Sequence, residues 1–161
     1  MKPSFKARRR ARVLAVQALY QVDVAGAAPE QALATALRMT EGEGEARTAG
    51  AAAGGAPAPE VDVRYAEELV RYVTDERPRL DALIAAASAN WRLDRMARLD
   101  AQILRVGAAE LARGSAPTPV VIDEAIEIAR EYCGDESRAF VNGVLDGVAR
   151  ALAAEREGRA S

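Results

Sequence analysis

Ala11-Arg12-Val13-Leu14-Ala15-Val16-Gln17-Ala18-Leu19-Tyr20 is the stretch that decides the fold class. Its apolar residues Ala11, Leu14, Ala15, Ala18 and Leu19, continued by Val22, fall at i, i+3, i+4, i+7, i+8 and i+11. On a helix that spacing is one unbroken buried stripe. It predicts a first helix from about Lys6 to Ala25, with Gly26 as its stop.

Upstream of the stripe the chain is strongly basic. Lys2, Lys6, Arg8, Arg9, Arg10 and Arg12 are six of the 22 basic residues, and no acid stands among the first twelve positions. The other 149 residues hold the remaining sixteen against all 24 acids, a balance of −8. Positive charge at one end of an acidic body suits a polyanion held there and repelled elsewhere. Because the basic run leads straight into an amphipathic helix, its charges are anchored rather than trailing in a solvated arm.

Downstream the same helical period recurs. Pro29 suits the first turn of a short second helix with Leu33 and Leu37 on one face. Residues 41–60, Glu-Gly-Glu-Gly-Glu and then an Ala/Gly stretch ending Gly54-Gly55-Ala56-Pro57-Ala58-Pro59, have little to bury and read as a flexible loop. Asp62 is the expected N-cap of a third helix with the stripe Ala66, Leu69, Val70 and Val73. Pro78 separates it from a fourth helix carrying Leu80, Leu83, Ile84 and Ala87. The connection that follows holds Trp91, read as packing between the two halves, with an exposed base-stacking role as the competing assignment.

A fifth helix, from about Asp94 to Arg113, has Met96, Leu99, Ile103, Leu104, Val106, Ala108 and Leu111 around much of its girth, so it should be central. Gly114 is its expected C-terminal residue. Thr118 as N-cap and Pro119 as the first helical residue open a sixth helix that turns Ile122, Ala125, Ile126 and Ala129 inward and ends at Gly134. Asp135-Glu136-Ser137-Arg138 opens a seventh that buries Val141, Val144, Leu145, Val148 and Leu152. Gly143 and Gly147 within it predict the close approach of another helix, and residues 155–161 should be a frayed polar tail.

Composition agrees. Half of the 161 residues are hydrophobic but only 4% are aromatic, and helix-forming alanine, leucine, glutamate and arginine dominate. The expected fold is all-α: six or seven helices in two packed sub-bundles, forming a single domain over 1–161. With no histidine and one cysteine, Ser-His and Cys-His nucleophile pairs, internal disulfides and cysteine zinc sites are excluded. Cys133, on an apolar helix face, reads as a buried thiol. No catalytic group, metal or cofactor is expected. No apolar run is long enough to span a membrane, and a soluble cytoplasmic protein is the simplest reading, with an Arg-rich transit peptide as the alternative for the amino end.

The arm's chemistry points to a single strand. Tyr20 lies within about 20° of Arg9 around the helix and about 16 Å along it, a span of two or three nucleotides. Cations with a ring on one face offer phosphate contacts and a base-stacking surface together. A half-buried core tyrosine is the competing reading. Phe140 lies beside the stripe of the last helix, near its edge, where core packing competes with stacking. Ser137 and Arg138 just before it can contact phosphate or base.

Several segments resemble the NusB family of bacterial transcription antitermination factors. They are Ala7-Arg8-Arg9-Arg10-Ala11-Arg12, Ala15-Val16-Gln17-Ala18-Leu19-Tyr20-Gln21, Leu99-Asp100-Ala101-Gln102-Ile103-Leu104-Arg105, Glu110-Leu111, the run from Pro119 to Ala129, and Phe140-Val141-Asn142-Gly143-Val144-Leu145-Asp146. The resemblance implies two helical sub-bundles and binding to boxA-type single-stranded RNA of ribosomal RNA transcripts. It also implies partnership with NusE, a small-subunit ribosomal protein, and with the RNA polymerase elongation complex. Carried over by position, RNA contacts fall on Arg8, Arg9, Arg10, Arg12, Tyr20, Ser137, Arg138 and Phe140, with Lys6 of the arm beside them. The NusE surface falls on the helices between about residues 79 and 113. An apolar patch that holds NusE can hold a second copy in its absence, so a homodimer is also open. Ala139 stands where relatives often carry a basic residue, which leaves Arg138 or the arm to supply that charge.

A non-enzymatic adaptor is therefore expected. Two rivals differ in class. One is the RNA-binding appendage of an rRNA-modifying enzyme, disfavoured by the lack of a glycine-rich strand-turn-helix for a methyl-donor cofactor. The other is a protein-only interaction module whose arginines pair with an acidic partner.

Overall fold

Ser4 starts the first element by accepting a hydrogen bond on its side chain from the Ala7 N–H at 3.1 Å. In the computed structural model, which describes residues 4–49, 60–88 and 96–160 but not the side chains of 43–49, this helix is α1, Phe5–Ala25. Gly26 ends it in the left-handed region at φ 66°, where a side chain would be strained. The described residues form six further helices: α2 Pro29–Ala49, α3 Val63–Asp75, α4 Arg77–Ala87, α5 Arg98–Arg113, α6 Thr118–Cys133 and α7 Ser137–Ala160. No strand occurs among them. The all-α expectation holds, and Trp91 and residues 50–59 lie outside the described residues.

The chain divides into two compact units, Met1–Val70 and Arg71–Ser161, as two sub-bundles require. In the first, α1 packs on α2, with Leu14, Ala15, Ala18 and Leu19 buried on one side and Ala32, Leu33 and Ala36 on the other. The start of α3 is tied to the start of α1 by the Asp62 N–H donating to the Ala7 carbonyl at 3.2 Å. Asp62 is the N-cap expected of it, accepting on Oδ1 from the Tyr65 N–H at 3.1 Å. One assignment needs correction. Residues 41–49, expected to belong to a flexible loop over 41–60, continue α2 to Ala49 instead. Glutamate, alanine and arginine in that stretch favour the helix, and the two glycines each oppose it by only about 1 kcal/mol.

In the second unit α5 and α7 pack against each other and each also packs against α4 and α6, so α5 shares the central place with α7. All of residues 101–111 are buried, including the polar Gln102, Arg105 and Glu110. Arg105 is clamped by a forked ion pair, Nε to Asp81 Oδ1 at 2.7 Å and Nη2 to Asp81 Oδ2 at 3.2 Å, which pins α5 to α4. Gly114 closes α5 at φ 65°.

Close approach occurs at two glycines of this unit. A Cβ on Gly147 would lie 2.9 Å from the Ala87 Cβ, and one on Gly107 would lie 2.8 Å from the Leu145 side chain. Gly143, expected to share that approach, faces open space. Pro117 rather than Thr118 is the N-cap residue of α6, with proline one position further into the first turn. The buried face of α6 is Val121, Glu124, Ala125, Ile128 and Ala129, so Ile122 and Ile126 sit at its edge. The tail is helical to Ala160 rather than frayed, and Arg156 donates to the Leu111 carbonyl at 3.0 Å.

Candidate nucleic-acid interface

Helical geometry spreads the arm's cations around α1, and the start of α3 sorts them. Arg8 lies over the Tyr65 ring, its guanidinium carbon 4.5 Å from the centroid, and its Nε is 3.8 Å from Asp62 Oδ2. Asp62 thus serves twice, one oxygen capping α3 and the other facing the arm. Arg10 donates from Nη1 to the Glu60 carbonyl at 3.1 Å. Arg9 stacks one turn back over Phe5, at 5.5 Å. Lys6 and Arg9 are exposed and Arg8 and Arg10 half-exposed, so four cations face solvent while three of them are held by identifiable neighbours. The Arg8–Asp62 pair, with Arg8 40% exposed, is worth at most about 1 kcal/mol and leaves the guanidinium available to an anion.

Arg12 departs from the expectation. It is 2% exposed and lies 5.7 Å from the Tyr65 centroid. The stripe that buries Ala11 and Ala15 carries its neighbour inward, and the Tyr65 ring receives the charge. A phosphate has no access to a side chain so enclosed. Tyr20 is half-buried and lies within about 20° of Arg9 around α1.

The remaining expected residues stand in the other unit, at the start of α7. Ser137 and Phe140 are half-buried and Arg138 is exposed. Ser137 and Arg138 N–H groups donate to the Gly134 and Asp135 carbonyls, each at 3.3 Å, so the first turn is formed. Asp135 and Glu136 are exposed beside it and make this end less attractive to phosphate than α1 is. Cys133, at the end of α6, is half-buried, and burial followed by a hydrogen bond with Asp100 pushes its thiol up to about 12. It is poorly suited to nucleophilic chemistry at neutral pH. Among the described residues no group of acids, cysteines or histidines could hold a metal ion, and no helix is long and apolar enough to cross a membrane.

Two residues that organise the arm escaped the sequence pattern. Tyr65 is buried at 4%, one position before the stripe of α3, and it receives cations from a helix far back in the chain. No local period reports such a contact. Phe5 was missed as well, although an aromatic residue four positions before an arginine lies on the same face of a helix and could have signalled the pair.

Two helical units, with a basic first helix whose arginines lie against the Phe5 and Tyr65 rings, define an all-α protein with a cationic first helix. The model of the NusB family matches residues 9–150. Transcription antitermination protein NusB of Anaeromyxobacter dehalogenans is 43% identical over 151 residues, covering 94% of this chain and 96% of that protein. The protein of the same name from Myxococcus xanthus is 44% identical over 147 residues, covering 91% and 96%. Among solved structures, T. maritima NusB aligns with a TM-score of 0.70 at 30% identity over 93% of each chain. A chain in the crystal structure of antitermination factors NusB and NusE in complex with dsRNA aligns with a TM-score of 0.72 over 92% of this chain and 99% of that one. At 23% identity that second likeness concerns the fold alone. The chain belongs to the NusB family.

Proposed function

We propose that this chain is a transcription antitermination factor that binds boxA-type single-stranded RNA of nascent ribosomal RNA transcripts in the cytoplasm, together with NusE, and joins them to the elongating RNA polymerase. The observation that carries the reading is the match along 94% of the chain to a relative named for antitermination. The geometry supports it. Lys6, Arg8, Arg9 and Arg10 present four cations on a formed helix, so their ordering entropy is largely spent before RNA arrives. They hold phosphates, while Tyr20 and Phe140 stack bases and Ser137 and Arg138 make polar contacts. Arg12 acts from inside, keeping α1 and Tyr65 together. Its role is binding without bond chemistry.

NusE is assigned to the exposed residues between 79 and 113. Among the described residues of that span, 101–111 are buried within the chain and Ala82, Ala85 and Ala86 of α4 are exposed, which supports α4 over the middle of α5 as a contact. Simultaneous engagement of RNA and NusE makes each raise the apparent affinity for the other. Filter binding with RNA that contains or lacks a boxA-type sequence, each with and without NusE, tests the reading. Preference for the boxA-type sequence, strengthened by NusE, is expected. Equal retention of both RNAs with no effect of NusE would overturn it.

A further inference from the structure

Phe5 is 58% exposed, yet it is not part of a loose tail. Ser4 caps the first turn of α1, so the ring projects from formed helix, and the Arg9 guanidinium lies 5.5 Å from its centroid. We propose that Phe5 is a base-stacking platform for single-stranded RNA, a contact that rests on the RNA-binding reading of α1 and lengthens its track beyond Arg9. On a helix, residues 5, 9 and 20 fall within an arc of about 60°, and residues 5 and 20 are about 22 Å apart along the axis at ~1.5 Å per residue. The order along that strip is ring, guanidinium, ring. A strand that meets this turn stacks a base on Phe5 with the adjoining phosphate reaching Arg9, while Val16, 3% exposed within the same arc, separates this turn from Tyr20.

Charge selects the occupant. The first turn of α1 contains no acid, the Arg9 guanidinium lies against the ring, and the next residue, Lys6, is exposed. An apolar protein surface docked on Phe5 would desolvate those cations without pairing them, at a cost that a single ring does not offset. A nucleotide instead satisfies both features, its base meeting the ring and its phosphate the guanidinium. Arg9 also holds the ring in place, so little side-chain freedom is lost when a base arrives.

The test compares wild type with Phe5→Leu, Phe5→Ala and Phe5→Trp on a boxA-type RNA oligonucleotide and on copies in which each nucleotide in turn is abasic. Stacking on one ring is expected to make Phe5→Leu and Phe5→Ala bind about five- to tenfold more weakly, at the low end of the range for base–aromatic contacts because the site is exposed. Phe5→Trp should restore or exceed wild-type affinity. The slope of log affinity against log salt should be the same in all four proteins, because no charge has been removed. One abasic position should weaken wild type by a similar factor while leaving Phe5→Leu within about twofold of its own value. Phe5→Leu affinity within twofold of wild type would overturn the inference, as would a slope flattened by about 0.7, which marks Phe5 as a support for Arg9 only. If wild type itself fails to retain the RNA, the antitermination reading falls and takes this inference with it; equal binding by all variants removes this inference alone.

Discussion

Arg12 and Arg9 are three residues apart on one basic helix, but they should fail in opposite ways when replaced. Arg12 is 2% exposed, with its guanidinium 5.7 Å from the Tyr65 ring. Changing it to alanine removes two buried methylenes, about 1.6 kcal/mol at ~0.8 each, and a desolvated cation–π contact worth about 1–2 kcal/mol. Relief of the guanidinium's own desolvation offsets part of that. A net loss of about 2 kcal/mol is expected, lowering the thermal midpoint by about 4–8 °C in a chain of this size. Arg9 is exposed, so Arg9→Ala should leave stability within about 0.5 kcal/mol of wild type. Calorimetry or urea titration reads the first quantity, and RNA binding as a function of salt reads the second. Arg9→Ala should flatten the log–log salt slope by about 0.7, and Arg12→Ala, measured where it is fully folded, should not. If Arg12→Ala keeps full stability and flattens the slope by that amount, Arg12 is a phosphate contact and its assignment to the interior is wrong.

Two glycines of α7 should respond with opposite sign. Gly147→Ala forces a methyl to 2.9 Å from the Ala87 Cβ and should destabilise by about 1–3 kcal/mol, whereas Gly143→Ala meets open space and should stabilise by up to about 1 kcal/mol; denaturant midpoints of both variants check this. Cys133, its thiol pushed up to about 12, should resist iodoacetamide at pH 8 in the folded protein and react at the ordinary thiol rate once unfolded. The charged form is the one disfavoured by folding, so this group's contribution to stability is full below the unfolded thiol pKa and falls as pH rises above about 8.5–9.

Periodicity carried most of the fold. The stripe Val141, Val144, Leu145, Val148 and Leu152 is buried as its spacing implies, and Gly26, Asp62 and Gly114 stop or start their helices where local backbone chemistry says they should. Local patterns fell short where a partner distant in sequence decides. Glu124 turns inward on α6 and pushes Ile122 and Ile126 to the edge, which a ranking by hydrophobicity cannot foresee. Arg12 read as one more cation of the arm until Tyr65 supplied a ring above it. In the same way Gly143 and Gly147 look alike in sequence, and only the position of Ala87 separates them. For the candidate interface, the charge of the arm was legible from the outset, whereas the Phe5 and Tyr65 rings, and the division of the arginines between solvent and interior, required the folded helices in place.

The salt dependence of boxA-type RNA binding, compared between wild type and the quadruple variant Lys6→Ala, Arg8→Ala, Arg9→Ala, Arg10→Ala, bears most directly on where the nucleic acid lies. Four phosphates at about 0.7 each give a wild-type slope near −3, and the variant should lose nearly all of it. A variant that keeps the wild-type slope would mean that the phosphates meet some other part of the molecule.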